Sequence, residues 1–330
     1  MEAYESARDL PLEWDALTGE NFYLKRAFLS YIEEVDKCQQ KYYIFRKKTG
    51  AIDTILMVYI RNNYNLTMFT PIKISLKMTF IYVPLSVTRP GIIWGEETKE
   101  EVADFLRKIK GYKLLLNLPK DLKLQGFVQG LTCPRCLLKI KWNTFDEYMA
   151  NLRSNYRYRY NKAIKKAVGL KYYMLQDNKQ FDDRLYNLYE QVYKNSPYKI
   201  EKLSREFFKG DFFKIFVFEK DNIPLGFIQL IENGKELIFE FVGFDHKLNH
   251  EYDLYMNLLL KIVEYGIENK FEVVDFGQTA DDAKLKLGCK YEYLYALLNH
   301  SNPIMNFGAD KIAKYLQYKP LDDSKFHVFK

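Results

Sequence analysis

Residues that cross-link small secreted folds or ligate metals are scarce in this sequence. There are four cysteines, Cys38, Cys133, Cys136 and Cys289, and four histidines in 330 residues. So few cysteines in so long a chain make no disulfide framework. Cys133 and Cys136 resemble half of a zinc knuckle, but no second CxxC or histidine pair supplies the remaining ligands, so no metal site is expected. Long apolar runs are missing as well. None approaches the ~20 residues that would span a bilayer, and the opening MEAYESARDLPLEW has acids where a leader would be apolar. A soluble, cytoplasmic protein is expected. With 16 glycines, 10 prolines and 48% apolar residues, little of the chain need be disordered. Its length is comfortable for two domains.

One further absence is local. Residues 155–166 read NYRYRYNKAIKK, without a single acid. Leu152, Tyr156, Tyr160, Ala163, Ile164 and Ala167 fall at helical spacing on one apolar stripe. The other faces carry Arg153, Arg157, Arg159, Lys162, Lys165 and Lys166. With Lys171 these make seven positive charges, as many as the net charge of +7, so the basic excess is concentrated here. Acids would ordinarily be interspersed to relieve i,i+4 repulsion between Arg153 and Arg157 or Lys162 and Lys166. A solvated charged face and an anion-binding surface are both open on these grounds, and arginine interleaved with tyrosine also suits single-stranded nucleic acid.

On either side of this stretch the same order of elements is read twice. KYYIFRKK and AIDTILMVYI form a strand pair around Thr49–Gly50. KMTFIYVPL is the next strand, residues 96–110 are a helix closed by Gly111, and KLLLNL is a short buried strand. In the second half KIFVFE and LGFIQLIE pair around DNIP, and ELIFEFVGF follows the Asn233–Gly234 turn. Residues 251–268 form an amphipathic helix, EVVDFG a strand, DDAKLKL a short helix and KYEYLYALL a final strand. Repeated order of this kind points to an internal duplication.

The basic helix, followed by strand, helix and sheet and closing in DFGQT (Asp275–Thr279), Lys284 and Leu287–Gly288, resembles the FemAB-like branch of the GNAT acyltransferase superfamily. The resemblance covers residues from about 40 to about 300. It implies an α/β fold of two GNAT-like domains, each a mixed twisted sheet flanked by helices. Residues 1–150 would be the degenerate domain, and residues 151–330 the domain carrying the donor cleft. It also implies transfer of an acyl group to a small-molecule amine, from acyl-coenzyme A or an acyl-carrier protein. The peptidoglycan-bridge relatives use charged tRNA instead. A non-catalytic RNA-binding module is the rival reading.

In that fold the donor arm enters between the strands that are here ELIFEFVGF and EVVDFG. The resemblance then assigns donor contacts to Val242, Gly243, His246, Gly277, Gln278 and Thr279. It assigns contacts to an anionic substrate or donor to Arg153, Arg157 and Lys162, and a substrate contact to Asp275 on the adjacent strand. Glu240 lies mid-strand among large apolar residues, sharing a face by alternation with Ile238 and Val242. A carboxylate in that setting suits a general base for the attacking amine. Lys284 would stabilise an oxyanion or a phosphate, and Tyr293 would protonate a leaving thiolate. Coenzyme-A-using relatives hold the pyrophosphate on a glycine-rich turn after the fourth strand. This chain has DHKLNHEYD there, with no glycine between Gly243 and Gly266.

Overall fold

The computed structural model describes every residue except 37, 87 and 199–201. The chain forms two compact units, Met1–Pro134 with Tyr293–Pro320, and Arg135–Glu292 with Leu321–Lys330. The first opens with β1 (Glu2–Tyr4), α1 (Glu13–Thr18) and α2 (Arg26–Val35). The expected strand pair follows as β2 (Lys41–Arg46) and β3 (Ile52–Asn65), turning through Gly50 at φ +90°. Next come β4 (Ser75–Ile81), β5 (Ile92–Ile93), α3 (Lys99–Lys108), β6 (Tyr112–Leu118) and β7 (Val128–Leu131).

The second unit begins with β8 (Arg135–Lys139), α4 (Phe145–Asn151), α5 (Ser154–Lys166), β9 (Lys171–Met174) and α6 (Asp183–Asn195). It continues through β10 (Lys214–Lys220), β11 (Ile223–Asn233), β12 (Glu236–Phe244), α7 (Asn249–Tyr252) and α8 (Leu254–Glu268). Then come β13 (Val273–Asp275), α9 (Asp281–Lys286) and β14 (Lys290–Glu292), before β15 (Tyr295–His300) and α10 (Pro303–Leu316) return to the first unit.

Apart from β5, which pairs with β3 at the side of the first sheet, the two sheets correspond strand for strand. One runs β1-β2-β3-β4-β6-β15-β7 and the other β9-β10-β11-β12-β13-β8-β14. Neighbours in these orders are antiparallel except β4 with β6 and β12 with β13, which are parallel. Parallel neighbours need a crossover, supplied here by α3 and α8. The repeated element order read from the sequence therefore reappears as a repeated strand order, and the fold is the expected α/β pair.

Four boundaries differ from expectation. The division falls at 134/135 rather than 150/151, because β8 pairs with β13 and β14 and so belongs to the second sheet. KYEYLYALL is two strands, one pairing with β8 and the other with β6 and β7. Its alternation continues through the crossing, which hides the break. The 251–268 helix is interrupted at Asp253, φ +47°, where the Asn257 amide donates to the Ala163, Tyr252 and Asp253 carbonyls and ties the break to α5. Finally, α3 starts only after Thr98, whose N–H and hydroxyl both donate to the buried Asp53 carboxylate, and it ends at Lys108, short of Gly111.

In the second unit the stripe Leu254, Leu258, Leu259, Ile262, Val263 and Ile267 of α8 is buried, as its spacing predicts, against Leu237, Phe239 and Ile228 of the sheet. The other face of that sheet is aromatic. Phe227 and Phe241 pack with Phe181, Phe207, Phe208 and with Tyr189 of α6. The core of the first unit gathers Phe45, Leu56, Ile81, Val102, Leu106 and Leu115.

Candidate active site

β12 and β13 share a ladder only from Glu236–Ile238 to Val273–Asp275. Past it, the chain after β13 follows β8: Phe276 N–H donates to the Cys136 carbonyl (2.9 Å) and Cys136 N–H to the Gly277 carbonyl (3.0 Å). β12 stays instead with β11, pairing Phe241–Phe244 with Gln229–Gly226. Adjacent strands held by different neighbours part, so the ladder is interrupted and a gap in the pairing separates Phe241–Phe244 from Gly277–Thr279. Alternate backbone N–H groups of β12 point away from β11 on that side, as strand geometry requires.

A bulge sits at the point of divergence. Gln229 is opposite Phe241 and Leu230 is opposite Phe239, so Glu240 is the extra residue. Alternation therefore breaks, and Glu240 does not share a simple face with Ile238 and Val242. Ile238 and Phe241 lie on one face, Phe239 and Val242 on the other. The ring contacts agree: Phe241 meets Tyr189, Phe207 and Phe208, while Phe239 meets Phe276 and the Lys284 ammonium. Glu240 is 6% exposed.

Lys284, in α9, is 3% exposed. Its Nζ donates to the Gln278 carbonyl (2.8 Å) and stands 6.0 Å from the Phe239 ring centroid. Burial pushes its pKa below the ordinary lysine value, opposed by the nearby Cys136, Asp281, Cys289 and Asp275. The loop it holds is unusual, with Gly277, Thr279 and Ala280 at φ +69°, +63° and +51°. Two non-glycine residues in the left-handed region imply local strain that the surroundings must fix. The Asp275 carboxylate holds the other end, accepting from Gly277 N–H (2.8 Å).

Several expected ligand contacts have other occupations. Asp275 is fully buried and paired with Arg135 (3.2 Å), which also meets Glu236 and Glu292, so it braces the loop rather than facing a substrate. Gly243 is small for packing. A Cβ there would lie 2.3 Å from the Phe227 ring and 2.6 Å from the Tyr189 backbone nitrogen. Val242 packs partly buried against the core. His246 is exposed, its ring 4.6 Å from that of Phe244, and partial desolvation lowers its pKa. Tyr293 belongs to the first unit, whereas β12 and β13 belong to the second. Arg153 donates to the Phe329 carbonyl (3.1 Å). Arg157 donates to the Leu152 (2.9 Å) and Ala150 (3.3 Å) carbonyls at the end of α4. Lys162 remains exposed.

The turn where coenzyme A would place its pyrophosphate is already satisfied by protein groups. Asp245 Oδ1 accepts from Lys247 and Leu248 N–H (2.8 and 3.1 Å) and Gln191 Oε1 from His246 N–H (3.2 Å). At the start of α8, Asn249 Oδ1 accepts from Tyr255 N–H (2.9 Å). A carboxylate seated on these amides repels a pyrophosphate, so this turn does not fit coenzyme A.

Sequence reasoning missed two residues. Arg135 follows a proline inside the Cys133–Cys136 pair, with nothing to mark it as the clamp on Asp275. Gln229, fully buried opposite the bulge, has a side-chain amide whose oxygen and nitrogen have no hydrogen-bond partner among the described residues. Its signal was visible: one amide inside LGFIQLIE, an otherwise apolar strand.

Residues 150–285 match the sequence model of the acetyltransferase (GNAT) domain. The second unit carries a GNAT acyltransferase domain. No curated protein matches the chain. Among solved structures the chain is similar to FemX, with 12% identity, TM-score 0.55, and 95% of this chain and 100% of that one covered. A tandem GNAT protein from the clavulanic acid biosynthesis pathway gives 9% identity, TM-score 0.52 and coverage of 92% and 99%. L-PGS from Bacillus licheniformis gives 10% identity, TM-score 0.51 and coverage of 94% and 98%. At such identities the likeness shows the fold, two GNAT-like units in tandem. No helix among the described residues is long and apolar enough to cross a membrane.

Proposed function

We propose that the GNAT domain transfers an acyl or aminoacyl group from a macromolecular carrier, an acyl-carrier protein or a charged tRNA, to a small-molecule amine. The observation that carries this reading is the gap between β12 and β13, with Glu240 at the bulge and Lys284 behind the opposite wall. The occupied amides of the turn after β12 favour a carrier held elsewhere over free coenzyme A. The amine nitrogen attacks the acyl carbon directly. A C–N bond forms, the C–S or C–O bond to the carrier breaks, and the leaving sulfur or oxygen takes up a proton. Backbone N–H groups near Val242 and Gly243 polarise the carbonyl, and Glu240 collects the amine proton, directly or through one water. Lys284 positions the Gly277–Ala280 wall through the Gln278 carbonyl.

The test is label transfer from acetyl-coenzyme A, acyl-carrier protein and charged tRNA to a panel of amines, followed by mass spectrometry. Transfer from a carrier is expected, and Glu240→Gln should lower turnover by about 10²–10⁴. Full turnover in that variant removes the base role. RNA binding without transfer from any donor supports the rival binding module.

A further inference from the structure

α5 buries Tyr160 and Ala163 and leaves its opposite side in solvent. On that side Tyr158, Lys162, Lys165 and Val168 (in the turn after the helix) recur at steps of four, three and three residues, one line along the helix. Tyr158 is 73% and Val168 77% exposed, with Ile164 beside them at 37%. Large apolar side chains left in water within one short segment are unusual unless something covers them. The neighbouring cations are free for a partner. Lys166 is engaged by Asp253 and the His250 carbonyl, but Arg159, Lys162 and Lys165 have no acidic partner among the described residues.

An apolar pocket of about 310 Å³ opens at the end of this line. Ile164, Val168, Leu170, Tyr172, Phe218 and Leu260 are among the residues that line it. Lys261 and Glu264 also line it, Lys261 lying over the Tyr172 ring (5.2 Å) and paired with Glu264. A polynucleotide would use Tyr158 and the lysines but would leave Ile164, Val168 and the pocket in water. A surface of anionic headgroups over hydrocarbon matches both halves of the patch, since basic residues meet the headgroups while apolar side chains enter the acyl boundary.

We infer that the outer side of α5, with the pocket at its end, docks this protein on an anionic lipid surface. The inference uses no residue of the β12–β13 gap and stands apart from the transfer reading. The test is co-sedimentation of the full chain with vesicles of phosphatidylcholine alone, or with about a third phosphatidylglycerol. Binding to the anionic vesicles only is expected, and it should weaken with added salt. Each basic residue removed should cost about fivefold in partitioning, so Lys162→Gln with Lys165→Gln should lose roughly twenty- to thirtyfold. Val168→Asp should also weaken binding, while Lys290→Gln, off this helix, should bind as wild type. All these positions are exposed, so unchanged circular dichroism is the folding control. Equal binding to neutral vesicles, no vesicle binding, or full binding by the double variant each overturns the proposal. If vesicles fail and a transfer RNA binds in a Lys162- and Lys165-dependent way, the surface serves RNA instead.

Discussion

The two sheets share a strand order and differ where their parallel strands meet. In the first, the ladder of Met78–Ile81 against Tyr112–Leu115 reaches the end of β4, and β6 runs on to Leu118 paired with β15. In the second, the ladder occupies only the start of β12, and Phe239–Phe244 continue through a bulge paired only with β11, while the chain after β13 turns to β8. The same strand order thus leaves different strands running past the junction, β6 in the first sheet and β12, with an extra residue at Glu240, in the second.

Each unit also buries a lysine next to this junction. Lys113, on β6, is fully buried and donates to the Ile109 carbonyl (2.7 Å) just past α3. Lys284 donates to the Gln278 carbonyl in the wall of the gap. Both ammonium groups are disfavoured by desolvation, yet only one braces a cleft.

The largest expected effect separates these lysines. Lys284→Met should lower turnover about 10²-fold by releasing the Gly277–Ala280 wall. Lys113→Met should leave turnover within about threefold, because it touches only a helix end. Equal losses would mean that the first unit shares in the chemistry. Next in size, Gly243→Ala should destabilise the second unit by about 1–3 kcal/mol, because the new Cβ collides with the Tyr189 backbone; denaturant titration reads this directly. Unchanged stability would show that α6 does not press on β12.

Smaller again, Gln229→Met should stabilise the fold by about 1 kcal/mol, because a buried amide without partners costs more than it returns. A fall in melting temperature would show that the amide is bonded. The smallest effect concerns pH. Burial lowers Lys113 to about 8 in the folded chain, against about 10.4 when unfolded. Between those values the unfolded state binds more protons, so this residue's contribution to stability rises with pH from about 8 and levels off near 10.4. Buried thiols and tyrosines titrate with the opposite sign, so the measurement is the difference between wild type and Lys113→Met. A flat difference would place the Lys113 ammonium in water.

The elements were legible because their periods are clean. The α8 stripe, the strand pairs and the Asn233–Gly234 turn all follow from local pattern. What pattern could not show was which sheet a strand joins. β8 and β15 alternate like their neighbours, and only long-range pairing assigns β8 to the second sheet and β15 to the first. Glu240 and Lys284 stand out in the sequence as polar groups in apolar surroundings, and both are buried in the second unit. The bulge that re-aims Glu240 is a mismatch between two strands and cannot be read from one. Arg153, Arg157 and Asp275 looked like ligand groups because charge suggests a partner. The partners turned out to be two sets of carbonyls and an arginine.

The central claim is that the donor arm enters the second unit between β12 and β13. Hydrogen–deuterium exchange with whichever donor turns over tests it most directly. The account predicts slowed exchange at Phe241–Phe244 and Gly277–Ala280, with none at Met78–Ile81 or Tyr112–Leu115. Protection at the junction of β4 and β6, with Phe241–Phe244 unchanged, would contradict it.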